Sequence, residues 1–542
     1  MLHPAMFLAT KSSVSIYLSR IFTPDPFRGI YHLNTFDLLL LVPYFVVLGI
    51  LAIYGFHRYF LVYTYFKYRR NVPEPTPTPL DPLPRVTIQL PVFNERYVVE
   101  RLIEEVCRME YPKDLLQIQV LDDSTDDTAQ IARDSVERHA ALGFPISYHH
   151  RTNREGFKAG ALAEGMLQMR GEFIAIFDAD FLPPPDFLKN TLPYFREPQI
   201  GMVQTRWSYI NRNYSSLTRL QSVLLDGHFV LEHGARSRSG SFFNFNGTAG
   251  IWRRRAIEES GGWQHDTLTE DTDLSYRAQL QGWKFLYLPE IACESELPTD
   301  ISAFKNQQAR WAKGLIQTAK KLLPVIWRSP IPRHIKIEAF FHLTANICYP
   351  LMLVMGALLL PAMIVRFYQG WFQMLYIDLP LLIAATCSVS TFYLVSQREL
   401  FPATWKRTIA YLPLIMAAGM GLSITNARAV LEALLGRKSE FVRTPKYRIE
   451  TRRDRVAATR YRSRMKWVPM IEILIGCYFI YTVYYAFESA NYGTIPFLVL
   501  FVWGYLGTGL LSLFEGKWEK LDGLLNRVAE QFQPVTKGLQ ES

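Results

Sequence analysis

The sequence predicts an α/β domain inserted into an α-helical membrane domain with several spans, and three observations support this. Hydrophobic residues make up 49% of the 542 residues, yet the mean hydropathy is only +0.02, so polar and apolar parts must coexist. Long apolar runs lie outside the interval from Val86 to about Trp327. Inside that interval, short β-rich runs such as VTIQLPV, LQIQVLD and EFIAIFD alternate with polar helical stretches, which indicates a mostly parallel sheet.

The chain before the α/β domain is predicted to contain one membrane span and a linker. Residues 36–56 are apolar and long enough to cross a bilayer, and they begin too far along the chain for a cleavable signal peptide. We therefore predict an N-terminal segment, residues 1–71, with a transmembrane helix at about 36–60. Proline-rich residues 72–85 form the predicted linker to an α/β domain at 86–333, which ends in interface helices.

Five apolar runs follow the α/β domain, and the basic residues predict which of them cross the membrane. Thirteen Lys/Arg and four Asp/Glu lie between Arg428 and Lys466, so this loop should face the same, cytoplasmic side as the α/β domain. An even number of spans must then separate the two, although three apolar runs lie between them. We expect 408–426, with its proline and Gly/Ser residues, to lie at the interface. The predicted membrane domain, 334–515, has spans at about 339–366, 376–397, 467–487 and 493–514. It also contains an interfacial segment at about 404–435 and a loop at 436–448. Residues 516–542 form a predicted cytosolic tail, and the N-terminus is predicted to lie outside.

The distribution of charge, cysteine and histidine excludes several classes of function. The net charge of +10 is concentrated in the juxtamembrane loop, where the lipid bilayer explains it, so we expect no nucleic-acid partner. The five cysteines include no CxxC pair, which argues against a zinc site or a disulfide framework. The histidines show no metal-binding spacing, and we expect His228 and His233 to pack or hydrogen-bond.

Acidic side chains follow three successive predicted strands at the point where each strand ends. Asp178 and Asp180 end FIAIFDAD, Asp122 and Asp123 end LQIQVLDD, and Glu95 follows LPVFN. Because the carboxyl ends of parallel strands meet at one edge of a sheet, these groups should lie close together. Such a cluster repels itself unless a cation or a donor-rich ligand is present. Carboxylate oxygens suit Mg²⁺ or Mn²⁺, particularly when a diphosphate completes the coordination shell.

Three further motifs carry groups that could act on a substrate, and each also has a plainer interpretation. Lys158 could meet a phosphate, or it could be a solvated surface lysine. Glu270 and Asp271 could supply a general base, or they could begin a helix whose dipole favours acids. The motif QQARW places an amide, a guanidinium and an indole on one helix face, which suits a sugar site or a membrane-interface helix. These three residues are Gln307, Arg310 and Trp311.

The motifs LPVFNE, VLDDSTD, FKAGAL, FDADF, FFNFNGTAG, LTEDTDL and QQARW occur in an order that resembles the processive family 2 glycosyltransferases. These enzymes include cellulose, mannan and hyaluronan synthases, and the greatest similarity is to the plant cellulose-synthase-like A proteins, the mannan and glucomannan synthases. The resemblance is dense over residues 85–330 and looser in the membrane part. Residues 436–448, GRKSEFVRTPKYR, resemble the gating loop of cellulose synthases, the alternative being a basic loop held by anionic lipid.

The resemblance implies a GT-A fold, Rossmann-like, that binds a nucleotide sugar (GDP-mannose, UDP-glucose or both) together with Mg²⁺ or Mn²⁺. It implies an inverting hexosyltransferase that extends a β-linked polysaccharide, such as a β-1,4-linked mannan, glucomannan or glucan, and exports it across the membrane. By position in the motifs, it assigns Asp271 as the catalytic base; Phe93, Glu95, Asp122, Asp123, Lys158 and Asp178 to the nucleotide sugar; Asp178 and Asp180 to the metal; Phe245, Asn246, Thr248, Glu270, Gln307, Arg310 and Trp311 to the acceptor; and Arg443, Thr444 and Lys446 to gating.

Two other functions compete with the polysaccharide synthase. A non-processive enzyme that glucosylates ceramide or diacylglycerol would share the DxD and QxxRW motifs, whereas FVRTPK and the extra C-terminal spans favour the synthase. The intact acidic set argues against a transporter or receptor with a degenerate nucleotide-binding domain. The resemblance implies a multi-pass protein with a cytoplasmic catalytic domain, in the plasma (inner) membrane if bacterial and in the Golgi if plant-like. The donor, the acceptor class and any accessory export subunits stay open at this point.

Overall fold

The structure is a computed structural model that describes residues 35–73, 80–368, 375–437, 443–451, 454 and 467–515. Several predicted features lie outside these residues. They are the N-terminal segment before Thr35, the centre of the proline-rich linker, residues 438–442 of the gating-like loop, most of the basic stretch before Trp467, and the tail from residue 516 onwards.

A mixed sheet of seven strands forms the centre of the α/β half in the described part of the chain. Its strands are β1 (Val86–Val92), β2 (Leu116–Asp122), β3 (Ile146–His150), β4 (Phe173–Ile176), β5 (Ile200–Tyr209), β6 (Gly250–Arg253) and β7 (Lys284–Ser295). They lie in the order β3-β2-β1-β4-β6-β5-β7. β1 pairs in parallel with β2 and β4, β2 with β3, and β5 with β7, whereas β6 runs antiparallel to both of its neighbours. The predicted mostly parallel sheet therefore carries one antiparallel strand.

Helices cover the sheet on both faces, which explains why its central strands are apolar throughout. Along β4, Ala175 packs into one hydrophobic cluster while Ile174 and Ile176 pack into another, because successive strand residues point to opposite faces. A long first helix, α1 (Thr35–Lys67), precedes the sheet. The helices of the α/β half are α2 (Val99–Cys107), α3 (Thr128–Ala141), α4 (Phe157–Leu167), α5 (Phe187–Thr191), α6 (Ser216–Gly227), α7 (Gly234–Ser239), α8 (Arg254–Glu259) and α9 (Glu270–Leu280).

The remaining helices lead from the sheet into an apolar bundle. They are α10 (Ile301–Arg328), α11 (Arg333–Thr344), α12 (Cys348–Tyr368), α13 (Leu375–Leu400), α14 (Leu412–Gly421), α15 (Ser423–Leu434), α16 (Val468–Glu488) and α17 (Ile495–Leu513). In the described residues, five helical segments are long and apolar enough to cross a membrane: Thr35–Lys67, Arg333–Arg366, Pro380–Leu400, Val468–Glu488 and Tyr492–Leu513. They coincide with the five predicted spans.

The segment that we expect at the membrane interface is a bent pair of helices. Trp405–Gly421 and Ser423–Leu434 meet at an angle of 42°, and together they are apolar enough to form a broken span or a re-entrant loop. The small residues at the bend allow close packing: a Cβ on Gly421 would lie 2.6 Å from the carbonyl oxygen of Gly504 in α17. Among the described residues, five helical segments could therefore cross a membrane, or six if this pair forms one span.

Candidate active site

An open cleft lies at the carboxyl ends of β1, β2 and β4, where the acidic residues are predicted to meet. It contains about 1260 Å³ of empty space, part of which is open to solvent. Open α/β folds bind their ligands at this edge because parallel strands deliver the residues that follow them to one place. The predicted site residues that line the cleft are Phe93, Glu95, Asp123, Lys158, Asp178, Asp180, Asn246, Glu270, Asp271, Gln307, Arg310, Trp311, Arg443, Thr444 and Lys446.

The first aspartate of the DxD motif is paired with a lysine. The Asp178 carboxylate accepts a hydrogen bond from the Lys158 ammonium, which also donates to the carbonyl oxygen of Gly247 at 2.9 Å. Burial raises the pKa of the Asp178 carboxyl, and the Lys158 ammonium acts in the opposite direction. Burial lowers the pKa of Lys158, but nearby carboxylates, Asp178 first, outweigh it and raise that pKa. Lys158 is therefore a fixed positive charge at the cleft.

The second aspartate is paired with a lysine from far along the chain. Lys446 Nζ lies 2.7 Å from Asp180 Oδ2, and it also donates to the carbonyl oxygen of Glu296. Close by, Arg443 Nη1 lies 2.6 Å from Glu95 Oε2. Burial raises the pKa of Glu95 to about 7, although the Arg443 guanidinium acts against it. Two of the three residues predicted to gate the cleft thus contact its acidic residues directly.

Glu296 holds the gating-like loop against the α/β domain, and it is not among the predicted site residues. Its Oε1 accepts a hydrogen bond from the backbone N–H of Tyr447 at 2.9 Å. Its Oε2 lies 3.5 Å from Arg101 of α2, and Arg101 also lies 2.7 Å from Glu450. Because Glu296 directly follows β7, it shows the same pattern as the other cleft carboxylates, an acid just after a strand. That pattern could have identified it.

The two aspartates fit a divalent cation as part of a site that a substrate completes. Both carboxylates line the cleft, and carboxylate oxygens are preferred ligands of Mg²⁺ and Mn²⁺. Across the described ranges, no group of three or more His, Cys, Asp or Glu side chains could hold a metal ion. Two protein ligands suit Mg²⁺, which usually keeps several waters and phosphate oxygens in its shell. The ammonium groups already beside both aspartates agree with a site that favours positive charge.

The acidic pair after β2 divides into one cleft residue and one buried residue. Asp123 lines the cleft, and Arg151 contacts its two carboxylate oxygens at 2.7 and 2.5 Å. Asp122 is fully buried and accepts hydrogen bonds from the N–H of Ser124 (2.9 Å) and the hydroxyl of Tyr148 (2.7 Å). Neighbouring strand residues point to opposite sides, so both cannot face one ligand. The structure gives Asp122 a place behind the cleft instead of the predicted contact with the nucleotide sugar.

Phe93, at the end of β1, forms a cation–π contact at the edge of the cleft. The guanidinium carbon of Arg154 lies 3.3 Å from the centroid of the Phe93 ring. Both residues line the cleft. A flat aromatic ring and a flat guanidinium are groups on which a planar base can stack. Arg154 is not among the predicted site residues, although it lies in the basic segment RTNREGFK that also contains Lys158.

Helix α9 begins with the two acids Glu270 and Asp271, and both line the cleft. Asp271 Oδ1 accepts a hydrogen bond from the backbone N–H of Thr272 at 2.6 Å. Burial, and then the Glu270 carboxylate, raises the pKa of Asp271 to about 7. A Cβ on Gly247 would lie 3.0 Å from Asp271 Oδ2, so the backbone of the opposite loop passes directly against this carboxylate. A carboxyl group that titrates near neutral pH is suited to accept a proton.

The loop before β6 presents Asn246 to the cleft and turns its neighbours inward. Phe245 is fully buried and packs edge-on to Trp252, with ring centroids 5.7 Å apart. Thr248 is also fully buried, and its hydroxyl oxygen accepts a hydrogen bond from the N–H of Asp178 at 2.9 Å. Neither residue lines the cleft. The structure thus places Phe245 and Thr248 beneath the loop, as supports, where the sequence predicts contacts with an acceptor.

Helix α10 joins the cleft to the apolar helices through its two faces. Gln307, Arg310 and Trp311 line the cleft from one face, as their spacing predicts. Lys305 lies two residues earlier, about 200° around the helix, and is buried. Its ammonium lies 2.7 Å from both carboxylate oxygens of Glu472 in α16. The helix that forms one wall of the cleft is therefore ion-paired to the apolar bundle.

Comparisons with known proteins place this fold and this site in a family. The family model described as "Glycosyltransferase like family 2" matches residues 84–314. Glucomannan 4-beta-mannosyltransferase 7 of Arabidopsis thaliana is 35% identical over 413 residues, which cover 73% of this chain and 71% of that relative. The chain belongs to glycosyltransferase family 2. This confirms the predicted resemblance, and the GT-A type fold with a mixed sheet beside apolar helices confirms the predicted fold class.

Two further similarities of this family 2 chain are more limited. Glucomannan 4-beta-mannosyltransferase 1 of Oryza sativa subsp. japonica is 47% identical over 251 residues, 45% of this chain and 48% of the relative. The chain thus spans about half the length of the first curated relatives that it matches. A solved mannosyltransferase from Pyrobaculum calidifontis, in complex with GDP-Man and Mn2+, is 20% identical with a TM-score of 0.48, covering 72% of this chain and 99% of that one.

Proposed function

We propose that this family 2 chain is an inverting hexosyltransferase that transfers mannose, glucose or both from a nucleotide sugar to the growing end of a β-1,4-linked mannan or glucomannan. One observation carries the proposal: a carboxyl group suited to act as a base, the DxD pair and a sugar-type helix face line a single cleft. The relatives named glucomannan 4-beta-mannosyltransferase support mannose as the transferred sugar, for which GDP-mannose is the proposed donor, and this polysaccharide as the acceptor. A glucan product from UDP-glucose is the nearest variant of the same reaction.

The donor would lie along the carboxyl edge of β1, β2 and β4. Phe93 and Arg154 offer a stacking surface for the base, and Asp123 offers two acceptor oxygens for its N–H groups or for ribose hydroxyls. Lys158 supplies a fixed positive charge for the diphosphate. Asp178 and Asp180 would hold Mg²⁺ or Mn²⁺. When bound, such an ion neutralises charge on the departing diphosphate.

Asp271 would act as the general base. Its pKa near 7 leaves a large fraction of the carboxylate ready to take the proton from an acceptor hydroxyl at neutral pH. The deprotonated oxygen then attacks the anomeric carbon from the face opposite the diphosphate, which inverts the configuration. An α-linked donor therefore gives a β-linked product. No second carboxylate is needed as a nucleophile, because the bond to the diphosphate breaks as the new glycosidic bond forms.

The acceptor would lie against α10 and the loop that carries Asn246. Trp311 offers an indole plate for the C–H face of a sugar, while Gln307 and Arg310 offer hydrogen-bond donors for its hydroxyls. Glu270 lies beside the proposed base and can accept a hydroxyl hydrogen bond. All five of these residues line the cleft that contains Asp271, and the acceptor hydroxyl must lie there for proton transfer.

The gating-like loop would exchange its acidic partners for the donor. Arg443 and Lys446 contact Glu95 and Asp180, and both of these acids belong to the proposed donor site. A diphosphate with its metal would offer Arg443 and Lys446 negative oxygens while the metal takes over Asp180. Thr444 lines the same wall of the cleft. The loop would thereby close over a bound donor and exclude water from the reaction.

The membrane half would hold the enzyme with its α/β domain on the cytoplasmic side, where nucleotide sugars are available. Five apolar helices could cross a membrane, and the growing chain would pass between them. That membrane would be the plasma (inner) membrane if the protein is bacterial and the Golgi membrane if it is plant-like. The same distinction would decide which accessory export subunits, if any, take part. A lipid acceptor, ceramide or diacylglycerol, is the second candidate, because the cleft lies next to helices that would lie in the bilayer.

The proposal is tested with the full chain purified into lipid vesicles with Mn²⁺ or Mg²⁺. Radiolabelled GDP-mannose and UDP-glucose are supplied separately and together, and the Asp271→Asn variant serves as the control. Products are divided into a lipid extract and a high-mass fraction, and the latter is digested with linkage-specific mannanases and glucanases. Label in a mannanase-sensitive high-mass fraction that Asp271→Asn lacks is the expected result. Label only in the lipid extract would overturn the polysaccharide synthase and favour the glycolipid enzyme.

A further inference from the structure

A single wide helical turn between α6 and α7 brings two histidines side by side. The chain is helical from Ser216 to Ser239, but His228–His233 forms a π-helical turn with five-residue hydrogen-bond spacing. On an ordinary α-helix, residues five apart lie about 140° from each other. The wider turn brings them to nearly the same face, and the ring centroids of His228 and His233 are 4.4 Å apart. Turns of this kind are frequent at functional sites.

Both histidines contact one amide, that of Asn246 in the cleft. His233 Nε2 lies 2.5 Å from Asn246 Oδ1, and Asn246 Nδ2 lies 3.0 Å from His228 Nε2. The oxygen needs a donor and the NH₂ group needs an acceptor, so His233 donates from Nε2 and His228 accepts at Nε2. His228 then carries its proton on Nδ1, which lies 2.8 Å from Glu232 Oε2. The prediction that these histidines hydrogen-bond is confirmed.

The amide keeps one donor and one acceptor for a ligand. An Asn side chain has two N–H hydrogens and two lone pairs on oxygen, and the histidines use one of each. Asn246 lines the cleft and is partly exposed, whereas His233 is fully buried behind it. The backbone N–H of Asn246 donates a hydrogen bond to Gln204 Oε1 at 2.9 Å. The remaining N–H and lone pair therefore face a substrate from a fixed position, and they can serve a sugar hydroxyl, which both donates and accepts.

The histidine pair is itself braced by a chain of charges that reaches the first membrane helix. Arg236 lies 3.4 Å from Glu232 and 2.9 Å from Glu338 of α11, and Glu338 lies 2.8 Å from His57 of α1. Arg236 and Glu338 are both buried. Buried charges in a fully paired network keep one geometry, because any rearrangement leaves a charge unpaired. The orientation of the His228 ring, and hence of the Asn246 amide, is fixed from behind.

We propose that His228 and His233 are positioning residues that fix the Asn246 amide for a hydroxyl group of the acceptor sugar next to the general base. The neighbouring Gly247 passes against Asp271, so the loop that carries the amide runs beside the carboxylate that would take the proton. A fixed amide orients the acceptor hydroxyl toward the base, whereas a freely rotating amide would hold it in several directions. This proposal rests on the proposed transferase function and assigns the two histidines to its acceptor step.

The test compares transfer with donor hydrolysis in the full chain in vesicles. His233→Phe keeps a ring among the aromatic neighbours Phe229, Phe243 and Tyr287 but removes the hydrogen bond. We expect transfer to polysaccharide to fall about tenfold, the loss of one well-placed hydrogen bond, while donor hydrolysis and nucleotide affinity stay unchanged. His233→Gln, which returns a donor near the Nε2 position, should recover much of the transfer rate. His139→Phe, on α3, is the control and should change neither rate.

Non-additivity separates positioning from general structural damage. Asn246→Ala should lower transfer by a similar factor, and the double variant His233→Phe/Asn246→Ala should lose no more than Asn246→Ala alone. The positioning role would be overturned if the losses of the two single variants multiply in the double variant. It would also be overturned if nucleotide affinity falls as much as transfer does. If His233→Phe does not fold, the quarter-exposed His228 provides the same cycle through His228→Phe and His228→Gln. If the unaltered protein forms no polysaccharide from either donor, the proposed function itself is overturned. If the unaltered protein is active and the histidine substitutions do not change its activity, only the positioning role is overturned.

Discussion

Four acids of the cleft are each paired with a different cation. Asp178 faces Lys158, Asp180 faces Lys446, Glu95 faces Arg443 and Asp123 faces Arg151. These pairs satisfy buried charges before any ligand is present, since an unpaired charge in such a place is costly. A nucleotide sugar and a metal ion bring both signs of charge, so they can replace these partners without leaving a charge uncompensated. The ion pairs of the cleft are therefore matched in charge to its proposed ligands.

Asp271 gives a pH dependence whose direction follows from its pKa. Burial and the Glu270 carboxylate raise that pKa to about 7, and only the deprotonated form can act as a base. The turnover number at saturating donor should therefore rise with pH up to about 7 and level off above it. Glu270→Gln removes a charge that raises the pKa, so the rise should move to lower pH. A pH profile of polysaccharide formation measures both.

Replacing the base should remove its contribution without removing the donor. Asp271→Asn should lower transfer at least about 100-fold, a typical contribution of general base catalysis, at every pH. Nucleotide affinity, measured by calorimetry, should stay close to that of the unaltered protein. Asp180→Asn is the matched comparison, because it should weaken metal-dependent nucleotide binding. Equal loss of nucleotide affinity in the two variants would contradict the assigned roles.

Gly247 is expected to be intolerant of any side chain. Its φ of +80° favours glycine, and a Cβ there would lie 3.0 Å from Asp271 Oδ2 and 3.3 Å from Lys158 Nζ. Gly247→Ala should displace the base and lower transfer by about tenfold or more. Gly240→Ala is the matched control, since its φ is +73° but no atom lies within 4 Å of the added Cβ. Alanine at position 240 has the same unfavourable backbone conformation but no close neighbour. Equal effects of the two substitutions on transfer would therefore refute the displacement of Asp271.

At the residue scale, the sequence predicted which chemical groups meet but not always which way they face. Asp178, Asp180 and Asp271 line the cleft because each follows or begins an element at its edge, a place that the pattern reveals. Asp122 and Phe245 do not, because a one-residue difference turns a side chain to the opposite side. The cations that pair with the acids come from up to 348 positions away, as Arg443 does for Glu95 (443 − 95 = 348), and no local pattern encodes such pairing.

At the scale of elements, the sheet shows the same division between the predictable and the unpredictable. The apolar runs of β1, β2 and β4 are recognisable because strands covered on both faces are apolar throughout. β6 is only four residues long, and its antiparallel direction depends on the loop and helices that precede it. Its four residues match many local structures equally well. Helix α10 was recognisable from its spacing, whereas the partner of its buried face, Glu472, was not.

The contact between α14 and α17 should depend on Gly504. A Cβ on Gly504 would lie 2.4 Å from the carbonyl oxygen of Ala417, a backbone atom that cannot move without shifting the helix. Gly504→Ala should therefore destabilise the bundle by about 1–3 kcal/mol, the usual cost of overpacking. Gly507→Ala, on the same helix, meets no atom within 4 Å and should leave stability unchanged or slightly raise it. Thermal unfolding in detergent compares the two, and equal midpoints would refute the close contact.

At the scale of the whole molecule, ion pairs and a hydrogen bond join the α/β half to the apolar bundle. Lys305 of α10 contacts Glu472 of α16, Ser302 Oγ donates to Glu515 at 2.5 Å, and Arg236 of α7 contacts Glu338 of α11. Charged residues inside an apolar bundle are costly unless they are paired, so these contacts fix how the two halves dock. Since α10 also carries Gln307, Arg310 and Trp311, its docking position decides where the acceptor face lies in the cleft.

The Lys305–Glu472 pair tests whether docking governs the reaction. Both side chains are buried, so Lys305→Met or Glu472→Met alone leaves one buried charge without its main partner and should cost about 3–5 kcal/mol of unfolding free energy. Together, the two substitutions remove both charges, and much of that stability should return. Polysaccharide length should be restored less completely than stability, because methionine packing does not reproduce the geometry that sets α10 against the cleft. A double variant that recovers stability and full-length product equally would show that the pair acts on folding alone, with no separate effect on the acceptor face.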